Sequence, residues 1–389
     1  MALIDPRLRG NAQLNKRDCT RALQLCGSRE AQAVLKIMAN ERISFGAYDL
    51  ALAAHAFARD GKHALAEQAI RQVLALPAAP EPETCTILLR SCCHSKDTDT
   101  ALDVWKALRA ADRWPTVPGL QHLLMACAAS GAWEAALSAL RECESTHAAP
   151  GALDTDVRQT NALLKACVRG EAVREAEAIL AELPSVADDP RRAACTTSYN
   201  TVLHAYSAEW AGGEGLAARV ARADALLERM EEGGIARDEA TYATLLMLHK
   251  LDPQRALALL ADAKSRGVVC GTATYAQVVR TLWWAGLSDH AWQLIDSMEP
   301  GGVVPDGRFF ESAARAAASV GLVDDADKLH REMHRRGLSS ISSNGKKKKT
   351  WAPSSRGTPS SAEKHDAESF FLLLERQRSR RPDAPEPLD

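Results

Sequence analysis

An all-α chain folded as a right-handed α-solenoid of stacked helix-turn-helix hairpins is the architecture this sequence predicts. Three observations predict it. An alanine recurs at a nearly fixed interval along most of the chain, apolar residues fall at helical offsets around it, and glycines recur at two places where helices must stop. The 389 residues would suffice for two or three ordinary domains or for one extended array without a single core. The repeat decides for the array.

The alanines are Ala31, Ala66, Ala101, Ala136, Ala176, Ala223, Ala256, Ala291 and Ala326, separated by 35, 35, 35, 40, 47, 33, 35 and 35 residues. With that alanine numbered position 20 of a unit, position 27 reads Met38, Val73, Leu108, Cys143, Leu183, Met230, Ala263, Met298 and Met333. Positions 23 and 24 are mostly apolar too, as in Leu226-Leu227, Leu259-Leu260 and Leu294-Ile295. Offsets of three, four and seven from the alanine make one face of a helix, the second of each unit.

The first helix is written most clearly in "TTSYNTVLHAY" (196–206), with near-copies "EATYATLLMLH" (239–249) and "TATYAQVVRTL" (272–282). Positions 4, 7, 8 and 11 are Tyr199, Val202, Leu203 and Tyr206 in one unit, Cys85, Leu88, Leu89 and Cys92 in another, and Tyr275, Val278, Val279 and Leu282 in a third. The offsets are again helical, so the tyrosine is the first core residue of a short amphipathic helix. The Thr or Ser before it suits an N-cap, whose oxygen accepts from an unpaired backbone N–H. Gly61, Gly131, Gly286 and Gly321 fall at position 15 between the helices, and Gly234, Gly267, Gly302 and Gly337 at position 31 after the second. Glycine there supplies the left-handed backbone that ends a helix.

Nine units follow: 16–46, 47–81, 82–116, 117–156, 157–195, 196–238, 239–271, 272–306 and 307–341, after an N-terminal extension at 1–15. Extra residues fall in "SAEWAGGEGLAAR" between the helices of one unit, and around "THAAPGALD" and "VADDPRRAA" after the second helix of two others. Loop entropy rises slowly with length, so such insertions leave the array intact. A hairpin cannot bury its apolar face alone, so neighbours stack into a continuous core. The small alanine at position 20 lets the second helix approach a neighbour, and a large residue there would overpack at about 1 to 3 kcal/mol.

Composition narrows the function. Lys plus Arg number 48 against 50 Asp plus Glu, a net charge of −2, so any polyanion would be held by local patches and not by overall attraction. The ten cysteines form no Cys-x-x-Cys pair and read as free thiols of a reducing compartment; no metal set is spaced along the chain. Cys92, Cys127 and Cys167 share position 11 with Phe57, Tyr206 and Leu282 and read as core. No run approaches the length of a membrane span, and "MALIDPRLRG" has neither a secretory apolar core nor, with Asp5, the look of an acid-poor transit peptide. No His-Glu-x-x-His, Gly-x-Ser-x-Gly or Walker-type loop occurs; "GGEGLAAR" (212–219) lacks the Lys-Ser/Thr and reads as inserted loop, so the chain is expected to be non-catalytic and to need no cofactor. The tail 342–389 is rich in Ser, Pro and charge and is expected to be disordered, with Lys346 to Lys349 a basic run and 366–381 the candidate for a short helix.

A 35-residue helical hairpin with Tyr-Asn near its start, Ala at position 20, Met at 27 and "GVVPD" at its end resembles the pentatricopeptide repeat family, best in 196–238 and 272–306 and over about 16–341 in all. Tetratricopeptide repeats want a small residue at position 8, where this chain has Leu89, Leu124, Leu164, Leu203, Leu246 or Val279. The resemblance implies single-stranded RNA, an organellar transcript, bound along the concave groove in a chloroplast or mitochondrion, with about one base per repeat and no membrane. It implies that position 5 and the last residue of each unit meet the base edge. Those pairs are Thr20 with Gly46, Ala51 with Glu81, Thr86 with Thr116, Gln121 with Asp156, Asn161 with Cys195, Asn200 with Asp238, Ala243 with Gly271, Ala276 with Asp306 and Glu311 with Ile341.

Asn200 with Asp238 matches the pair the family uses for uridine, and Asn161 leans toward a pyrimidine. Ala51, Ala243 and Ala276 have no side-chain group to offer a base, and Glu311 has the wrong charge. Arg59 and Arg169 stand at position 13, where the family's basic residues meet phosphate, unless they are plain surface charges. Tyr199, Tyr242 and Tyr275 read as core before stacking platforms, Trp283 as packed and Trp284 as nearer the groove. The function expected is a non-catalytic RNA-binding protein acting in organellar RNA processing, stability or translation. The alternative is a scaffold whose groove takes protein partners, suggested by the acidic body and the sparse base readers.

Overall fold

The structure, a computed structural model, describes residues 15–145, 156–184, 188–207 and 215–338. The insertion "THAAPGALD", residues 208–214 of the longest one, Ile341, the lysine run and the segment 366–381 lie outside the described residues.

Among these residues the chain is helical throughout, with eighteen helices and no strand. The odd-numbered ones are α1 (Lys16–Leu25), α3 (Ala47–Arg59), α5 (Pro82–Ser95), α7 (Val117–Ser130), α9 (Val157–Arg169), α11 (Thr196–Ser207), α13 (Glu239–Leu248), α15 (Thr272–Trp284) and α17 (Gly307–Ser319). Between them run α2 (Ser28–Asn40), α4 (His63–Leu74), α6 (Thr98–Ala110), α8 (Trp133–Ser145), α10 (Val173–Glu182), α12 (Leu216–Glu232), α14 (Pro253–Ser265), α16 (Ser288–Met298) and α18 (Val323–Arg335). Each odd helix packs on the even helix that follows it and on the next odd helix. The odd helices therefore form a continuous inner layer and the even helices an outer one, a helical repeat solenoid.

The recurring positions explain that packing. All nine alanines at position 20 are buried, and so are Tyr199, Val202, Leu203 and Tyr206 with their counterparts in α5 and α15. Cys92, Cys127 and Cys167 lie in this core, where burial pushes their thiols up, that of Cys167 to about 12 and that of Cys127 to about 11. Position 27 is buried in eight units; Leu183 is the exception, because α10 stops at Glu182 and Leu183 is its extended C-cap, half-buried.

Two local expectations are corrected. The Thr or Ser before each tyrosine is the third residue of its helix and not the N-cap. Asp238 caps α13, its side chain accepting from the Thr241 amide at 2.9 Å while its own amide donates to Thr241 Oγ1 at 3.2 Å. Cys195 precedes α11 in the same way, its amide donating to Ser198 Oγ at 3.1 Å. The hydroxyl thus supplies the returning half of a capping box. The second correction concerns "GGEGLAAR": its last four residues, 216–219, open α12, which at 17 residues is longer than its counterparts.

One contact between units is unusually close. Gly131, at φ +79°, ends α7 and abuts Gly170, the C-cap of α9. A Cβ on Gly170 would stand 2.4 Å from the Gly131 carbonyl oxygen and 2.8 Å from Trp133 Cδ1. The α7–α9 seam closes only because neither residue has a side chain.

Candidate nucleic-acid interface

With core on three sides, each odd helix keeps one stripe open. Between their end residues, the positions left half-buried or exposed on α11 are Thr197, Asn200, Thr201 and His204, and on α15 Ala273, Ala276, Gln277 and Arg280, with Trp284 at its end. These are positions 2, 5, 6, 9 and 13, the helical neighbours of the predicted base reader. Because consecutive odd helices touch, the stripes line up into one face.

Asn200 is the most completely built residue on it. Its Nδ2 donates to Asp238 Oδ1 at 2.9 Å, and its Oδ1 accepts from Thr241 Oγ1 at 2.7 Å. This clamp fixes which end of the amide donates, and it leaves one N–H and one carbonyl lone pair unused. Burial pushes the Asp238 carboxyl up, but hydrogen bonds from the Thr241 amide, Asn200 and the Thr241 hydroxyl outweigh it and hold the group below the usual range. It stays an acceptor at neutral pH.

Asn161 repeats the arrangement one unit earlier. Its Nδ2 donates to Cys195 Sγ at 3.5 Å and its Oδ1 accepts from Ser198 Oγ at 2.7 Å, but the side chain is buried. Burial raises the Cys195 thiol, and hydrogen bonds from Ser198 and Asn161 lower it by more. Thr86 and Thr116 also meet, their hydroxyls 2.6 Å apart.

Other predicted pairs do not come together. Thr20 bonds to Asp49 Oδ1 at 2.5 Å, because Gly46 has no side chain to offer. Gln121 leaves its Oε1 buried without a partner, while Asp156 accepts from the Arg158 amide and pairs with its guanidinium at 2.7 Å. Asp306 accepts from the Phe309 amide at 2.8 Å as the cap of α17, facing an alanine at position 5.

Arg59 and Arg169 share one structural task. Arg59 donates to the Cys26 carbonyl at 2.9 Å and Arg169 to the Ala129 carbonyl at 2.7 Å, each tying its helix to the end of the previous odd helix. Trp283 is fully buried; Trp284 is half-buried, donates to Ser319 Oγ at 3.2 Å and lies under the Arg280 guanidinium, 5.1 Å from its ring centre.

Position 9 was not singled out from the sequence. Running along the face it reads His55, Arg90, Met125, Lys165, His204, Met247, Arg280 and Arg315. It holds no acid, and Arg90, Lys165, Arg280 and Arg315 have no carboxylate partner among the described residues. The signal was available: position 9 is one helical turn beyond position 5. Among the described residues no group of His, Cys, Asp and Glu is placed to hold a metal, and no helix is long and apolar enough to cross a membrane.

A family model described as PPR repeat matches residues 83–112 and 313–338. Among solved structures, the pentatricopeptide repeat protein PPR10 in complex with an 18-nt psaJ RNA element superposes with a TM-score of 0.56 at 17% identity, over 86% of this chain and 47% of that one. PPR10 from maize gives 0.41 at 13% identity over 93% and 56%, and yeast Rmd9p in complex with 16nt target RNA gives 0.48 at 12% over 98% and 91%. The chain spans about half the length of the RNA-bound PPR10 chain that it matches. A sequence search of curated proteins finds no match.

Proposed function

We propose that this chain, two segments of which match the PPR repeat model, is a non-catalytic single-stranded RNA-binding pentatricopeptide-repeat protein that lays RNA along the open face of the odd helices. The observation that carries the reading is the row of unpaired cations at position 9, Arg90, Lys165, Arg280 and Arg315, on a chain whose net charge is −2. Cations without carboxylate partners along one groove are what a phosphate backbone needs. The PPR10 structure that superposes on this chain was solved in complex with an 18-nt psaJ RNA element, which supports the same reading.

Sequence reading falls to Asn200, whose unused N–H and carbonyl lone pair match the alternating acceptor and donor on the Watson–Crick edge of uracil, oriented by Asp238. Asn161, Thr86 with Thr116, Thr20, Gln121 with Asp156, and Asp306 contribute less. Each is buried, engaged within the protein or opposed by a residue with nothing to offer a base. The target is an organellar transcript in a chloroplast or mitochondrion, and the effect is on its processing, stability or translation.

The test is titration of the chain with a pool of short single-stranded RNAs. Affinity is expected to fall steeply between about 50 and about 200 mM salt, as counterion release requires. Absence of binding at the lower salt overturns the reading. In the selected RNAs, Asn200→Ala is expected to relax the preference at one base and leave the salt slope unchanged; an unaltered preference removes Asn200 from the site.

A further inference from the structure

The open face is not uniform along its length. On α3, α5 and α7 five basic or titratable side chains converge: His55, Arg59, Arg90, His94 and His122. The His55 and His94 rings stack with centroids 5.3 Å apart and planes 23° from parallel. The charged groups acting most on His55 are Arg90 and His94 from α5, Arg59 from its own helix and His122 from α7. Those acting on His122 are Arg90 and His94.

Two atoms at the centre are buried without partners, Nδ1 of His55 and Nε of Arg90. Both residues line a cavity of about 220 Å³, together with Tyr48, Gln24, Ile87 and Arg59. Arg59 is already engaged by the Cys26 carbonyl at 2.9 Å and by Asp60 at 3.7 Å, whereas Arg90 makes no ion pair among the described residues. A buried guanidinium nitrogen without a partner is unfavourable, so an anion supplied from outside would complete a site of this composition.

We propose that the cavity among α1, α3 and α5, with Arg90 and His55 at its centre and His94 and His122 beside it, is a phosphate-binding site that is charged in part by histidine. In the protein as proposed above, the phosphate belongs to RNA, and the site's natural ligand rests on that reading. Phosphate is then held more tightly as pH falls.

The direction follows from linkage. In the free protein, burial first and then Arg90 and His94 lower His55 from 6.5 to about 4, so it is neutral near pH 6. A phosphate in the cavity favours the imidazolium, and binding takes up a proton between the free and bound pKa values. Affinity therefore rises as pH falls through that window, by at most about tenfold per pH unit for each proton taken up. The aromatic ring of Tyr48, exposed at the rim, offers an adjoining base a stacking surface.

The experiment uses the full chain and two probes, a labelled oligouridylate followed by fluorescence anisotropy and inorganic tripolyphosphate followed by calorimetry. Each is titrated at about pH 7.5 and about pH 5.5, on either side of the usual histidine value. Binding is expected to tighten at least about fivefold at the lower pH. Arg90→Gln is expected to weaken it about tenfold at both, with Arg90→Lys restoring most of the loss. His55→Gln is expected to flatten the pH dependence. Histidine ring NMR reads the same event independently, as an upward move of the His55 titration when tripolyphosphate is added.

RNA binding that is equal at both pH values and unaffected by Arg90→Gln overturns the site and leaves the RNA reading standing. Tripolyphosphate binding that is pH-dependent and lost in Arg90→Gln, with no RNA bound, upholds the site and overturns the RNA reading. An unmoved His55 titration with tripolyphosphate bound overturns the histidine contribution.

Discussion

Two stretches of one helix face are furnished in opposite ways. On α9, α11 and α13, the position-5 asparagines are held by their own protein: Asn161 by Cys195 and Ser198, Asn200 by Asp238 and Thr241. On α3, α5 and α7 the corresponding positions are Ala51, Thr86 and Gln121, and the distinctive residues lie a turn away on α3 and α5, where His55 and the Arg90 cation each have a buried, unpartnered nitrogen. The first arrangement has its donors and acceptors oriented before any ligand arrives, which favours discrimination. The second holds unbalanced positive charge, which favours attraction without regard to sequence. Under the proposed function, a chain of net charge −2 would hold a polyanion through one patch and discriminate among bases at another.

The largest expected effect breaks the two regions apart where they meet. Gly170→Ala puts a methyl group 2.4 Å from the Gly131 carbonyl at the α7–α9 seam. It is expected to cost about 1 to 3 kcal/mol of stability, measured as a lowered urea midpoint. An unchanged midpoint would mean that the seam opens without penalty and that the two stretches are not held in one surface.

A smaller effect separates the regions by pH. His55 titrates at about 4 in the fold and at 6.5 when unfolded, so between those values the unfolded chain binds more protons. Stability therefore falls as pH drops from about 6.5 to about 4, by about 1 to 2 kcal/mol once solvent screening is allowed for. The check is urea unfolding across that range for the parent chain and for His55→Gln, which should lose this part of the slope. Asn200→Ala should retain it, since that substitution leaves His55 in place.

The smallest effect sharpens the comparison by moving a reader. Thr274 stands in α15 where Thr241 stands in α13, and Gly271, at φ −85°, occupies the capping position with backbone an aspartate adopts without strain. Ala243→Asn with Gly271→Asp, once the Glu239 carboxylate turns aside, should rebuild the clamp one unit later. A new preference of about fivefold at one further base is expected, the worth of about 1 kcal/mol of hydrogen bonding. Selection of bound RNAs from a randomised pool checks it, and no new preference would mean that the clamp geometry alone does not read a base.

Much of this was legible in the chain. Ala66, Ala101, Ala256 and their companions announced the repeat because a position packed between helices tolerates only a small side chain, whatever its neighbours do. Gly61, Gly131, Gly234 and Gly302 marked helix ends because positive φ is a local demand; all eight expected glycines have it. The pair Asn200 and Asp238 was legible because both ends of the contact keep their register in the repeat.

Other features were not. Lys96, Asp112 and Glu171 also adopt positive φ at the equivalent turns, where residue type gives no warning. The hydroxyl at position 3 looked like a cap because its own role depends on where the helix begins, three residues earlier. Arg59 and Arg169 looked like phosphate contacts because a sequence does not say that a carbonyl of the previous unit lies within reach of each guanidinium.

By itself, then, the sequence determined the repeating hairpin, the face of each helix that enters the core and the one unit whose position-5 amide meets an acidic last residue. These depend on local periodicity and backbone preference, which each segment carries with it. Only the tertiary structure decided that Arg90 lacks a carboxylate, that His55, His94 and His122 share one site, and that Gly131 must meet Gly170. Those facts depend on the distance between atoms of different units, and charge balance and close approach have no meaning until the units are stacked.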